Sequence, residues 1–259
     1  FSITLTSGSA ILAPNATVTI EIGTNATFGG GSQTQIVNPT ALGGGNSYEV
    51  LIDAGSTPDS GSMRLVIVDS VEVTATVDTI FTFTVAGVAG GEDVNGETTT
   101  GPTSATEIKF GKLDALTAST AAQLLTVNTN AANGFVVTVT ADGQLRSATG
   151  ADIDGFVNGS YTTTPTDWAP PTPVLGTESS YGHWGLTTDD STITTPMASG
   201  FFVSASTSPV EVFSHDGPSI GTGVGVGTTT VGYNVEVSGL QEAADDYTAT
   251  LTYVATPVF

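Results

Sequence analysis

Short apolar runs with a period of two, divided by Gly, Pro and Asn, recur from one end of this chain to the other. A sequence patterned this way can hide its apolar side only in β-sheets. Phe1, Ile3 and Leu5 alternate with Ser2, Thr4 and Thr6. Comparable runs follow at residues 17–22, 48–53, 63–68, 71–77 and 80–85, then at 124–129, 135–141, 201–205, 209–213, 231–237 and 247–254. They are short and rich in Val, Ile and Thr, which suit a pleated surface. Between them stand turn formers such as Gly29-Gly30-Gly31-Ser32, Gly43-Gly44-Gly45-Asn46 and Gly55-Ser56-Thr57-Pro58. The pattern predicts an all-β fold of one or two tandem antiparallel β-sandwiches, immunoglobulin-like or jelly-roll-like.

A length of 259 residues suits two such units. We place the first at residues 1–78 and the second at 79–259, with residues 147–199 as a long irregular insertion. That stretch is the least periodic of the chain and holds Pro165, Pro170, Pro171, Pro173, Trp168 and Trp184. Ala and Leu between residues 114 and 123 allow a helical turn there, although Thr and Ser weaken it.

Charge narrows the function classes. Four Lys and Arg stand against 25 Asp and Glu, a formal net charge of -21. Nucleic acid and anionic membrane surfaces need clustered cations, and Arg64, Lys109, Lys112 and Arg146 do not supply them. A hydrophobic share of 39% separates the chain from acidic disordered tails, so it is expected to fold. With no cysteine there is no disulfide, thiolate metal site or cysteine nucleophile. No run approaches the ~18 apolar residues of a membrane span. The chain begins with Phe1 instead of Met, as expected where a leader has been removed, and a secreted, extracellular or cell-surface location follows from that expectation.

The run Thr129-Asn130-Ala131-Ala132-Asn133-Gly134-Phe135-Val136-Val137-Thr138-Val139, with the closing Asp246-Tyr247-Thr248-Ala249-Thr250-Leu251-Thr252-Tyr253, resembles strand pairings of secreted bacterial surface β-sandwiches. Spore-coat-U-like and other pilin-like subunits end in a similar strand, and the likeness covers residues 79–259. It implies a fibre subunit that polymerises by strand donation. Chaperone-assembled pilins often carry a disulfide, which this chain cannot form.

If the strand of Phe1, Ile3 and Leu5 left its own domain, it would add to the open sheet edge of a neighbouring copy, its side chains filling pockets on alternate positions. Burying the three contributes about 1.5 to 3 kcal/mol each. The competing expectation is an ordinary first strand of its own sandwich. A homopolymer, held by copies of the same chain, is the partner this predicts.

Three acidic groups have the oxygen donors that Ca²⁺ takes. Asp93, Asn95 and Glu97 alternate around Gly96, Asp152 and Asp154 precede Gly155, and Asp189 adjoins Asp190. None completes a twelve-residue calcium loop, and Asp and Asn equally serve local turns. The residues Gly217-Pro218-Ser219-Ile220-Gly221 match G-x-S-x-G beside His215 and Asp216. The glycine-rich run after Ser219 cannot make the helix that a nucleophile elbow requires, so no enzyme is expected. His183 and His215 are too few for a histidine zinc site. Tyr161, Trp168, Tyr181 and Trp184 would either stack sugars, making a monomeric adhesin or glycan-binding module the alternative function, or anchor long loops on the core.

Overall fold

The computed structural model describes Asn15, Thr17, Thr19 and residues 47–53, 60–66, 71–244 and 247–259. The chain divides into two compact units, Phe1–Thr76 and Val77–Phe259. The expected strand at residues 1–6, with Phe1, Ile3 and Leu5, lies outside the described residues, as does most of 17–22.

In the first unit, β1 (Ser47–Asp53) and β2 (Ser60–Val66) form an antiparallel pair in which Ser47 faces Val66 and Asp53 faces Ser60. The second unit carries fourteen further strands: β3 (Phe81–Gly87), β4 (Asp93–Val94), β5 (Glu97–Thr98), β6 (Ser119–Thr129), β7 (Phe135–Ala141), β8 (Leu145–Arg146), β9 (Asp152–Gly155), β10 (Thr166–Asp167), β11 (Gly182–Thr188), β12 (Phe201–Ser204), β13 (Val210–His215), β14 (Ser219–Ile220), β15 (Thr228–Val237) and β16 (Leu251–Pro257). No α-helix occurs among the described residues, and the all-β expectation holds.

Two sheets face each other in a sandwich-like arrangement. The larger runs β10-β12-β11-β15-β6-β14, with β3 on the other side of β6 and the short β8 and β9 beside β11. The smaller is the antiparallel trio β13-β7-β16. Strand β7 shows why alternation is enough to place a strand here: Phe135, Val137, Val139 and Ala141 are buried, and the residues between them are half-buried. Its inward side chains meet Leu125 and Val127 of β6, Val231, Tyr233 and Val235 of β15, and Trp184 and Leu186 of β11 in one apolar core.

Strand β11, most of β15 and the first half of β6, Ser119 to Gln123, are buried on both faces, so alternation fades in them. Residues 99–105 cover the outer face of β6: Gln123 Nε2 donates to Ser104 O at 2.8 Å, and Thr100 N to Thr120 O at 2.8 Å. The hairpin β4–β5 covers β15, where a Cβ at Gly232 would meet both Val94 methyls at 3.0 Å.

Three expectations change. Residues 119–123, expected to start no strand and allowed a helical turn, begin β6, because pairing of Ser119 through Gln123 with β15 outweighs the helix propensity of Ala121 and Ala122. Residues 147–199 are not a wholly irregular insertion, since β11 within them is a fully buried strand central to the larger sheet. Residues 71–77 alternate but form no strand: they are exposed along their length, with Val71, Val73 and Val77 at 85%, 88% and 85%.

Candidate functional site

Asn95 and Gly96 make the two-residue turn of the β4–β5 hairpin, with φ of 48° and 86°. Both central residues have positive φ, which Asn and Gly tolerate best. The turn is tied to the larger sheet: Asn95 N donates to Asp189 Oδ1 at 2.6 Å, and Asn95 Nδ2 donates to Thr187 Oγ1 at 2.7 Å and Ala198 O at 3.0 Å. Asp189 is thus brought beside Asn95, 94 residues away in sequence, and within charge range of Asp93. Burial raises the Glu97 carboxyl above its ordinary pKa, and the charges of Asp167 and Asp93 add to the effect. Asp189 is raised by burial first, against the lowering effect of the bond from Asn95.

Asp190 has a different task. Its carboxylate accepts from Thr192 N at 2.8 Å, Thr192 Oγ1 at 2.6 Å and Ser214 N at 2.8 Å, and the residue is buried. That is an Asx-type turn fastened to β13. Asp152 and Asp154 stand on strand β9, not on a calcium-type loop, and Gly155 makes no turn. Gly is needed there because a Cβ would lie 2.2 Å from Ser204 Oγ and 2.5 Å from the Tyr161 ring. Asp154 accepts from Tyr161 Oη at 3.2 Å and Gln144 Nε2 at 3.5 Å. Burial, then the charge and hydrogen bond of Asp154, raise the Asp152 carboxyl, and burial with the Asp154 charge pushes the Tyr161 phenol up to about 12. Among the described residues, no three His, Asp or Glu come together as a group able to hold a metal ion.

Ser219 begins β14, is buried, and donates its hydroxyl to Val127 O at 3.0 Å. No helix follows it. The aromatic residues pack inward. Trp168 stacks on Phe156 with centroids 4.6 Å apart and donates Nε1 to Glu236 Oε2 at 2.9 Å, while Trp184 is 2% exposed. Trp168 and Trp184 anchor the 156–174 segment to the sheet, with Trp168 and Tyr161 half-buried. Asn158 N donates to His183 Nδ1 at 3.2 Å, and the other ring nitrogen lies 3.0 Å from Ala169 O. Burial lowers the His183 pKa to about 4.

Sequence patterning does not reveal a groove of about 1090 Å³. Its floor holds Trp184, Tyr233 and Val237, and two straps border it, one carrying Ile108, Phe110 and Leu113 and the other carrying Tyr247 and Ala249. Three buried polar atoms among the described residues have no partner, and two of them, Trp184 Nε1 and Gln241 Oε1, belong to side chains lining this groove. The signal that sequence did carry was the alternation of Ile108 and Phe110 with Glu107 and Lys109. Comparison with protein-family models, curated proteins and solved structures finds no match to this chain.

Proposed function

We propose that this chain is a structural subunit of an extracellular filament, tube or surface layer that assembles from copies of itself by β-strand exchange. The observation that carries it is the outer edge of β16. This strand of seven residues pairs with β7 along its full length, from Leu251 opposite Ala141 to Pro257 opposite Phe135, and is the last strand of its sheet. A row of backbone donors and acceptors on that edge suits an added strand. The alternating residues 1–6 are the proposed donor, with Phe1, Ile3 and Leu5 entering pockets. The acidic surface agrees with a subunit whose solubility rests on charge.

Ca²⁺ enters this proposal at the acidic β4–β5 turn of Asp93, Asn95 and Glu97, although among the described residues no three carboxylates gather there as a group able to hold a metal ion. Negative-stain microscopy of the purified chain, with and without chelator, tests assembly and cation dependence together. Polymer is expected for the whole chain and only folded protomers after removal of residues 1–6. Polymer that survives the truncation overturns strand donation by that segment, and dispersed particles at every concentration overturn the structural function.

A further inference from the structure

We propose that Asn133 is a modification site, where the chain converts its own asparagine to aspartate or isoaspartate and so loosens the end of β16. The chain has three Asn-Gly steps, Asn95-Gly96, Asn133-Gly134 and Asn158-Gly159. Each sets an electrophile, the side-chain amide carbon, next to a backbone nitrogen that no side chain shields. Local sequence makes the three alike, and the fold makes them different.

Asn95 and Asn158 are held. Asn95 Nδ2 donates to Thr187 Oγ1 at 2.7 Å and to Ala198 O at 3.0 Å, and Asn95 N donates to Asp189 Oδ1. Asn158 Nδ2 donates to Thr172 Oγ1 at 2.8 Å, its Oδ1 accepts from Thr172 N at 3.1 Å, and Gly159 N donates to Gly155 O at 2.9 Å. Either amide has to give up these bonds before it can turn onto the next nitrogen. Asn133 stands exposed in the turn between β6 and β7, and its side-chain amide has no hydrogen-bond partner among the described residues. Gly134 N makes a single long bond, to Ala131 O at 3.2 Å.

The reaction balances with water as the only co-reactant. Gly134 N loses its proton to solvent and bonds to Asn133 Cγ; the Cγ–Nδ2 bond breaks, and the nitrogen takes up a proton and leaves as ammonia. Water then opens the cyclic imide. Cleavage between Cγ and Gly134 N leaves aspartate in an ordinary chain. Cleavage between Asn133 C and Gly134 N leaves isoaspartate, with the chain running through Cβ and Cγ and an atom longer.

The turn has no slack for that atom. Asn133 N donates to Val258 O at 3.0 Å and Val258 N donates to Gly134 O at 2.8 Å, which fastens the chain just past β16. Gly134, with φ of 73°, lies so close to His215 O that not even a Cβ fits. It cannot step aside, so isoaspartate pulls the clamp on Val258 apart. That frees the end of β16, whose Thr256 and Pro257 pair with Val136 and Phe135. The conversion needs no second chain and proceeds whether or not copies assemble.

The test ages the folded full-length chain in mildly alkaline buffer beside a sample unfolded in urea, and reads both by peptide mass spectrometry. In the folded chain Asn133 is expected to convert at least about tenfold faster than Asn95 and Asn158, whereas in urea the three are expected to convert at similar rates. Hydrogen exchange at the Val258 amide is expected to rise in aged wild type and to stay as it was in aged Asn133→Ser, which has no amide to close on Gly134. Equal rates at the three steps in the folded chain, or no conversion at Asn133 while the unfolded chain converts, overturn the proposal. So does an unchanged Val258 amide in chains whose Asn133 has become isoaspartate.

Discussion

Tyr233 of β15 and Tyr253 of β16 join the two facing sheets through a hydroxyl-to-hydroxyl hydrogen bond of 2.7 Å. Tyr253 Oη also donates to Gln123 Oε1 of β6 at 3.1 Å, so a polar chain crosses an otherwise apolar core. Polar pairs of this kind cost stability when one member is removed, because the other stays buried without a partner.

The two tyrosines are therefore not equivalent. Tyr233→Phe leaves Tyr253 bonded to Gln123 and is expected to cost about 1 kcal/mol, whereas Tyr253→Phe strands both the fully buried Tyr233 hydroxyl and Gln123 Oε1 and is expected to cost about 2 to 3 kcal/mol. Urea denaturation of both variants checks the order. Burial raises both phenols, so in the folded state they hold their protons above the ordinary value near 10. Stability from these groups is complete below about pH 10 and falls as alkali ionises the unfolded chain first. An ultraviolet titration in which every tyrosine ionises near pH 10 without unfolding contradicts this.

His183 makes the opposite demand at acid pH. Its folded pKa of about 4 lies below the ordinary 6.5, so the unfolded chain takes up the proton first. The contribution is intact above about pH 6.5 and is lost toward pH 4, by on the order of 3 kcal/mol. Glu97, Asp152 and Asp189 are raised and offset part of the loss, since there the folded chain binds protons first. The site-specific check is nuclear magnetic resonance: the His183 ring signals are expected to stay constant from pH 8 to 5, and titration near 6.5 would refute its buried neutral state.

Trp168 and Glu236 form a second pair suited to a mutant cycle. Trp168→Phe keeps ring packing on Phe156 but removes the indole donor from a carboxylate that is 3% exposed, at an expected cost of about 1 to 3 kcal/mol. Adding Glu236→Gln, which neutralises the orphaned group, is expected to recover part of that loss. Trp168→Ala also forfeits the stacking and is expected to cost about 3 to 5 kcal/mol. Additive losses from the first two substitutions would show that the pair is not coupled.

Asp189→Asn separates a turn from a cation site. An amide oxygen can still accept from Asn95 N, and the buried charge is gone, so without added ions the variant is expected to melt no lower than wild type at pH 7. If Ca²⁺ binds here, chelator lowers the melting temperature of wild type alone. A variant that melts lower in chelator would mean that the carboxylate itself carries the structure.

Much of the fold was legible because half-buried strands write their orientation into the chain. Phe135–Ala141 reads directly as a strand, since one face meets the core and the other meets solvent. Gly182–Thr188 does not, because both faces of β11 are covered and its Gly, His and Thr residues follow no period. The segment 71–77 fails in the other direction: its alternation is complete, yet no neighbouring strand pairs with it among the described residues. Alternation shows that a strand would be amphipathic, not that a partner is within reach.

The acidic residues divide the same way. The Asn95-Gly96 step was readable as a turn, because those residues tolerate positive φ, but not as the tip of the β4–β5 hairpin. The approach of Asp189 to it, the withdrawal of Asp190 into a turn, and the placement of Asp152 and Asp154 on a strand were not. By itself the amino-acid sequence determined the class of fold, the sign of the surface and the absence of thiol chemistry, since these depend on composition and on period-two order. Tertiary structure alone decided which strands lie centrally, which carboxylates meet, and that a groove opens over Trp184 and Tyr233. Those are set by pairings between residues far apart in the chain, and local sequence carries no record of which distant strand supplies the partner.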